Sequence, residues 1–153
     1  MPLNKIRAFL DEKKIKYRII SHSIAYTAQE IAAQAHVSGK EVAKTVIVKL
    51  DGKLAMAVVQ ASQRVNLDLL KQAAGAKKAE LASEGEFAFA FPDCDLGAMP
   101  PFGNLYDMPV YVAEPLAKDE QIAFNACSHT ELIRMAFADF EKLVRPKIAP
   151  LGK

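Results

Sequence analysis

Three short stretches of this chain carry residue types that could do chemistry. The first is Lys44, in the first of two apolar runs, Val42 to Leu50 and Lys53 to Val59, that flank Asp51-Gly52. Asp-Gly between such runs predicts a type I′ hairpin, which sets Leu50 opposite Lys53 and Lys44 opposite Val59. Side chains alternate along a strand, so Lys44 shares a face with Val42, Val46 and Val48 and, across the ladder, with Ala55, Ala57, Val59 and Ala61. A lysine there either snorkels to the strand end or sits at the mouth of a pocket. The second stretch is Gly97-Ala98-Met99-Pro100-Pro101-Phe102-Gly103. Its glycines permit positive φ and close backbone approach, its prolines stiffen the middle, and its amides are confined to Gly97, Ala98, Met99, Phe102 and Gly103. Such a loop is either a plain surface turn or a cradle for a carbonyl or carboxylate oxygen. The third is Asn125-Ala126-Cys127-Ser128-His129, where His129 could bond a substrate or a backbone carbonyl.

Helices and strands must hold these stretches in place. Residues 3–14 predict a helix, with Leu3, Ile6, Phe9 and Leu10 at helical spacing, followed by a short strand from Tyr17 to Ile20. Thr27 and Glu30 form a capping box before a helix to about Ala35. After the hairpin, Asn66 caps a helix that ends at Gly75. Ser83 and Glu86 repeat the capping-box spacing for a short helix ending near Pro92. Strands are expected at 108–112, 120–125 and 130–136, then a helical turn or two from Asp139 to Val144 stopped by Pro146. The tail from Lys147 is expected to fray. Interleaving without strict βαβ regularity points to a mixed sheet.

A chain of 153 residues fits one domain with a sizeable core. Its net charge of +2 is too small an excess for gripping a long DNA duplex, while a short nucleic-acid end or a small molecule stays compatible. No apolar run approaches the ~18 residues of a membrane helix, and the N-terminus lacks a signal-peptide core. With two cysteines, Cys94 and Cys127, reduced thiols and a cytoplasmic setting are expected. Three scattered histidines and two distant cysteines lack metal-ligand spacing. Lys40, Lys49, Lys53, Lys77 and Lys78 could form a modest basic rim, although a solvated surface accounts for each singly.

The order Lys44-Thr45-Val46-Ile47-Val48, the Gly97-x-x-x-Pro101 loop and the Ser128-His129 segment resembles the YbaK/prolyl-tRNA-synthetase-associated editing domains, over about residues 5–145. The resemblance implies an α/β (α+β) fold, a single-domain mixed and partly barrel-like sheet with surrounding helices. It also implies hydrolysis of mischarged aminoacyl-tRNA, typically for proline or a related acceptor, without a cofactor. The implied partners are the aminoacyl-tRNA acceptor end and, secondarily, a synthetase. By the same resemblance, Lys44 would meet the aminoacyl ester or the terminal phosphate. Gly97 and Pro101 would shape the loop Ala98, Met99, Phe102 and Gly103 so that its amides position the aminoacyl group. His129, with Cys127 and Ser128 beside it, would line the amino-acid pocket. Many such relatives carry glycine where this chain has Cys127, whose sulfur would narrow or reshape that pocket.

Ester hydrolysis places negative charge on the carbonyl oxygen, which loop amides and a cation can stabilise. No serine, histidine and acid stand in triad order, so the general base stays open, and the resemblance implies that water or the substrate's hydroxyl groups share its work. Two alternatives remain. One is a thiol hydrolase built on Cys127 and His129. The other is a non-catalytic module that binds the acceptor end or a synthetase.

Overall fold

The computed structural model describes residues 4–21, 41–92, 94–95 and 97–152. The predicted helix at 27–35, its capping box and Lys40 lie outside them. Helix α1 (Asn4–Glu12) buries Ile6 and Leu10 completely, as its helical spacing requires. Strand β1 (Tyr17–Ser21) follows. The hairpin of β2 (Ala43–Leu50) and β3 (Lys53–Gln60) has the predicted register, Lys44 against Val59 and Leu50 against Lys53. Asp51 at φ 51° and Gly52 at φ 83° supply the two left-handed residues of a type I′ turn. The Asp51 carboxylate also accepts from the amides of Lys77 and Lys78, at 3.0 and 2.9 Å, bracing the turn.

Helix α2 (Leu67–Ala74) begins where Asn66 Oδ1 accepts from the amides of Asp68 and Leu69, and it ends at Gly75 with φ 66°. Strand β4 (Ala79–Leu81) returns beside β2. Helix α3 (Glu84–Phe87) opens on the predicted box, with the Ser83 amide and hydroxyl both donating to Glu86 Oε1. The remaining elements are β5 (Val110–Ala113), α4 (Glu114–Ala117), β6 (Gln121–Asn125), β7 (Glu131–Ala136), α5 (Phe137–Val144) and β8 (Lys147–Ala149).

The strands form a five-stranded sheet, β4-β2-β3-β5-β8, and a three-stranded one, β1-β7-β6. Antiparallel and parallel pairs mix in the larger sheet, β5 lying parallel to both β3 and β8. The sheets meet at a parallel bridge between Val42 and Ala123, reinforced by a two-pronged ion pair from Arg134 of β7 to Glu41, at 3.0 and 3.2 Å. This is the expected single-domain mixed α/β architecture. Its partly barrel-like character is limited to that junction, since the described strands do not close.

Two expectations need correction. The tail does not fray: β8 adds a strand, Leu151 is fully buried and Gly152 bridges to Val65. Apolar Ile148, Ala149 and Leu151 find a groove that no local pattern announces. Nor does the small-residue face of the hairpin leave open room. Ala55, Ala57 and Val59 are buried with Leu70 of α2, Ala113, Ala149 and Leu151, and their small size lets the helix and tail approach closely. Among the described residues no helix is long and apolar enough to cross a membrane.

Candidate active site

Lys44 lies at the end of that packed face, half-buried on β2. Its ammonium group is pushed below the ordinary lysine value of 10.5, first by burial and then by the nearby charge of Arg64. Among the described residues neither cation has a carboxylate partner within ion-pair distance. Two neighbouring positive charges without counter-charge suit an anionic or strongly polarised guest. Lys49 differs: it is paired with Glu80 at 3.7 Å and with Glu86, which falls to about 2 mainly through that contact. Lys49 is therefore committed within the fold, and Lys78 also reaches Glu80, so among the described residues the expected basic rim shrinks to exposed Lys53 and Lys77.

The Val42–Ala123 bridge is parallel, so β2 and β6 run the same way from it. Lys44 and Asn125, each two residues on, therefore reach the same end of the junction. The side-chain oxygen of Asn125 is buried there and finds no hydrogen-bond partner among the described residues. Beyond Asn125 the chain turns through residues 126–130. The Ser128 hydroxyl shapes this turn, accepting from the Thr130 amide at 3.1 Å and contacting the Thr130 hydroxyl at 2.9 Å. Ser128 thus acts first on the backbone around it.

The 97–103 loop splits into two parts. Gly97 is exposed at φ 87°, and a Cβ on it would lie 3.5 Å from His129 Cε1. The structure therefore brings Gly97 and His129 face to face. The Cys127 amide donates to the Ala98 carbonyl and the Asp95 amide to the Cys127 carbonyl, both at 2.9 Å, so the loop and the turn are laced together. From Ala98 to Gly103 the residues are buried, contrary to a plain surface turn. Phe102 stacks among Phe9, Phe124 and Phe140, with ring centroids 5.4 to 6.1 Å away. Phe102 and Gly103 are pieces of core, and Met99 and Pro101 are buried as well. Two of the five loop amides are already engaged, Gly97 with the Met99 sulfur and Ala98 with the Asp95 carbonyl.

The thiols are not reduced. Cys94 and Cys127, 33 residues apart, are joined in a disulfide. Their distance in sequence hid a proximity that folding creates. Cys127 also sits in a turn, not on a strand with His129, and its bonded sulfur is no thiolate nucleophile. The thiol-hydrolase alternative loses both its supports. Among the described residues no group of three His, Cys, Asp or Glu could hold a metal ion. Arg64 carries no signal in the sequence, and Asn125 and Cys94, though visible there, are given no role at the site by it. Only the second cysteine offered a signal, as the sole available partner for Cys127.

The chain has a mixed α/β fold in which Gly97 faces His129 across the laced loop and turn. Residues 22–143 match the aminoacyl-tRNA editing domain, and the chain belongs to that family; its function is removal of wrongly attached amino acids by hydrolysis of the aminoacyl-tRNA ester. The chain is 26% identical over 145 residues to the prolyl-tRNA editing protein ProX of Acetoanaerobium sticklandii, covering 90% of this chain and 87% of ProX. It is 27% identical over 100 residues to the proline–tRNA ligase of Bacillus mycoides, covering 65% of this chain and 17% of the ligase. In fold it resembles a candidate trans-editing enzyme for prolyl-tRNA synthetase, with a TM-score of 0.85 at 17% identity over 99% of this chain and 97% of the other. A protein described only as hypothetical gives 0.86 at 20% identity over 97% and 99%.

The Gly97–His129 contact yields a direct expectation. Alanine at φ 87° costs about 1 kcal/mol locally and tilts the loop against the imidazole. Deacylation by Gly97→Ala should fall roughly 30-fold, within the range that a small misplacement produces, while the melting temperature drops by only a few degrees. Parallel measurement of both quantities checks this, and an unchanged rate would reduce Gly97 to a connection.

Proposed function

We propose that this chain acts in trans on mischarged tRNA-Pro or a related tRNA, with Lys44 as its electrostatic catalyst. The observation that carries this reading is the half-buried Lys44 beside Arg64, with no carboxylate among the described residues within ion-pair distance of either. The ammonium group meets the ester carbonyl or the terminal phosphate of the acceptor end. Gly97, Ala98, Met99 and Pro101 shape one wall of the aminoacyl pocket, and Cys127, Ser128 and His129 the other. The editing unit spans the whole chain, tail included, and works in the cytoplasm, where a synthetase is a second partner. The names of ProX and of the ligase support the proline acceptor.

A panel of mischarged tRNAs incubated with the purified protein tests the proposal. Ester loss from one tRNA-Pro pair supports it. Binding without turnover across the panel would instead make the chain a non-catalytic acceptor-end module.

The lowered Lys44 pKa also predicts a pH dependence. The cation's contribution is complete below the folded-state pKa and is lost as pH rises through it. Because burial and Arg64 lower that value, the loss comes at a lower pH than the ordinary 10.5. The stability sign is opposite: the folded state disfavours the charged form, so this cost is relieved as pH rises. The rate ratio of wild type to Lys44→Ala, taken after the enzyme-free hydroxide hydrolysis is subtracted from each, should therefore decline before pH 10.5. A ratio constant up to that pH would contradict the assignment.

A further inference from the structure

The pairing of Cys94 with Cys127 bears on the wall formed by Gly97 and His129. Cys127 holds φ 67°, a left-handed conformation that glycine adopts freely and that costs an L-residue roughly 1 kcal/mol. A cysteine kept there has a reason other than backbone fit, and its sulfur supplies one by bonding Cys94. The bond joins the segment leading into Gly97 to the turn that ends at His129. It runs beside the two backbone hydrogen bonds that lace the same pieces, Cys127 to Ala98 and Asp95 to Cys127. The Tyr106 hydroxyl lies 3.5 Å from the Cys94 sulfur and 3.8 Å from that of Cys127, close enough to interact with either. Cys127 is fully buried, whereas Cys94 is half-buried and can be approached from solvent. The chain holds no third cysteine with which the pair could exchange.

We propose that this disulfide is a redox-controlled clamp on the aminoacyl pocket; the proposal rests on the editing reading of that site. Oxidised, it fixes the Gly97 loop against His129. A dithiol reductant opens it by thiolate attack on the Cys94 sulfur, with Cys127 leaving as a thiolate that takes a proton. The second thiol of the reductant then attacks the mixed disulfide and releases Cys94. Two electrons pass from the dithiol, which becomes a disulfide, and this chain gains two thiols. The backbone bonds persist, so reduction loosens the pocket without unfolding the domain. Disulfides of cytosolic proteins are typically transient and catalytic or redox-sensing, which fits such a role.

The test compares air-oxidised protein with the same protein treated with dithiothreitol. Thiol titration under denaturing conditions should find no free thiol before treatment and two after it. Hydrogen exchange at the Ala98 and Cys127 amides should accelerate about tenfold on reduction, and deacylation should slow about fivefold. Cys94→Ser should show the reduced-state values with or without dithiol. If that variant does not fold, the wild-type pair of states carries the comparison alone. Free thiols throughout, equal exchange in both states, or, in a protein that does hydrolyse the ester, faster exchange with an unchanged rate each overturns the clamp. Exchange is read without any tRNA, so a protein that hydrolyses no ester yet shows redox-dependent protection would sink the editing reading and leave the clamp in place.

Discussion

Lys44→Ala should lower the deacylation rate about 100-fold and leave the domain folded, the size of effect expected when one preorganised electrostatic stabiliser is removed. The structure explains why the two readouts separate. Lys44 sits in a paired strand opposite Val59, among apolar neighbours that accept an alanine. No ion pair is broken by its removal among the described residues. Burial already disfavours its charge, so the variant should match or slightly exceed wild type in thermal stability. Single-turnover ester hydrolysis beside a thermal melt checks both halves. A near-full rate would remove Lys44 from the mechanism.

Gly103→Ala should act in the opposite way, costing about 3 kcal/mol of stability and roughly 10 °C of melting temperature. A Cβ built there lies 2.2 Å from the Met108 carbonyl oxygen and 2.6 Å from Val110 Cγ2. Side-chain rotation cannot relieve a clash with a backbone oxygen. That backbone is also tied down, since the Met108 amide donates to the Gly103 carbonyl at 2.9 Å and β5 begins at Val110. The glycine serves close packing, not an unusual φ. Deacylation per folded molecule should stay near wild type. Intact stability with lost activity would return Gly103 to the substrate loop.

These two glycines show where sequence reading reaches its limit. Gly97 and Gly103 look equivalent, each bracketing the same proline pair. Gly97 turned out exposed with positive φ against His129, and Gly103 buried against β5. Only the neighbours differ, and they come from distant parts of the chain. Lys44, Gly97 and His129 could be picked out because strand alternation and glycine freedom are local properties. Arg64 could not, because its effect on Lys44 depends on how the chain after β3 folds back.

The sequence by itself determined what a few adjacent residues decide. Asp51-Gly52 set the hairpin register, Asn66 and Gly75 the two ends of α2, and Ser83 with Glu86 the start of α3. In each case the hydrogen bonds or dihedrals responsible lie within a handful of positions. The tertiary structure decided the rest. It joined Cys94 to Cys127, drew residues 98–103 into the core, gave the tail a place beside β5 and spent Lys49 on Glu80 and Glu86. Those outcomes depend on contacts between segments tens of residues apart, whose closeness follows from packing two sheets and their helices together, and composition and spacing carry no direct record of it.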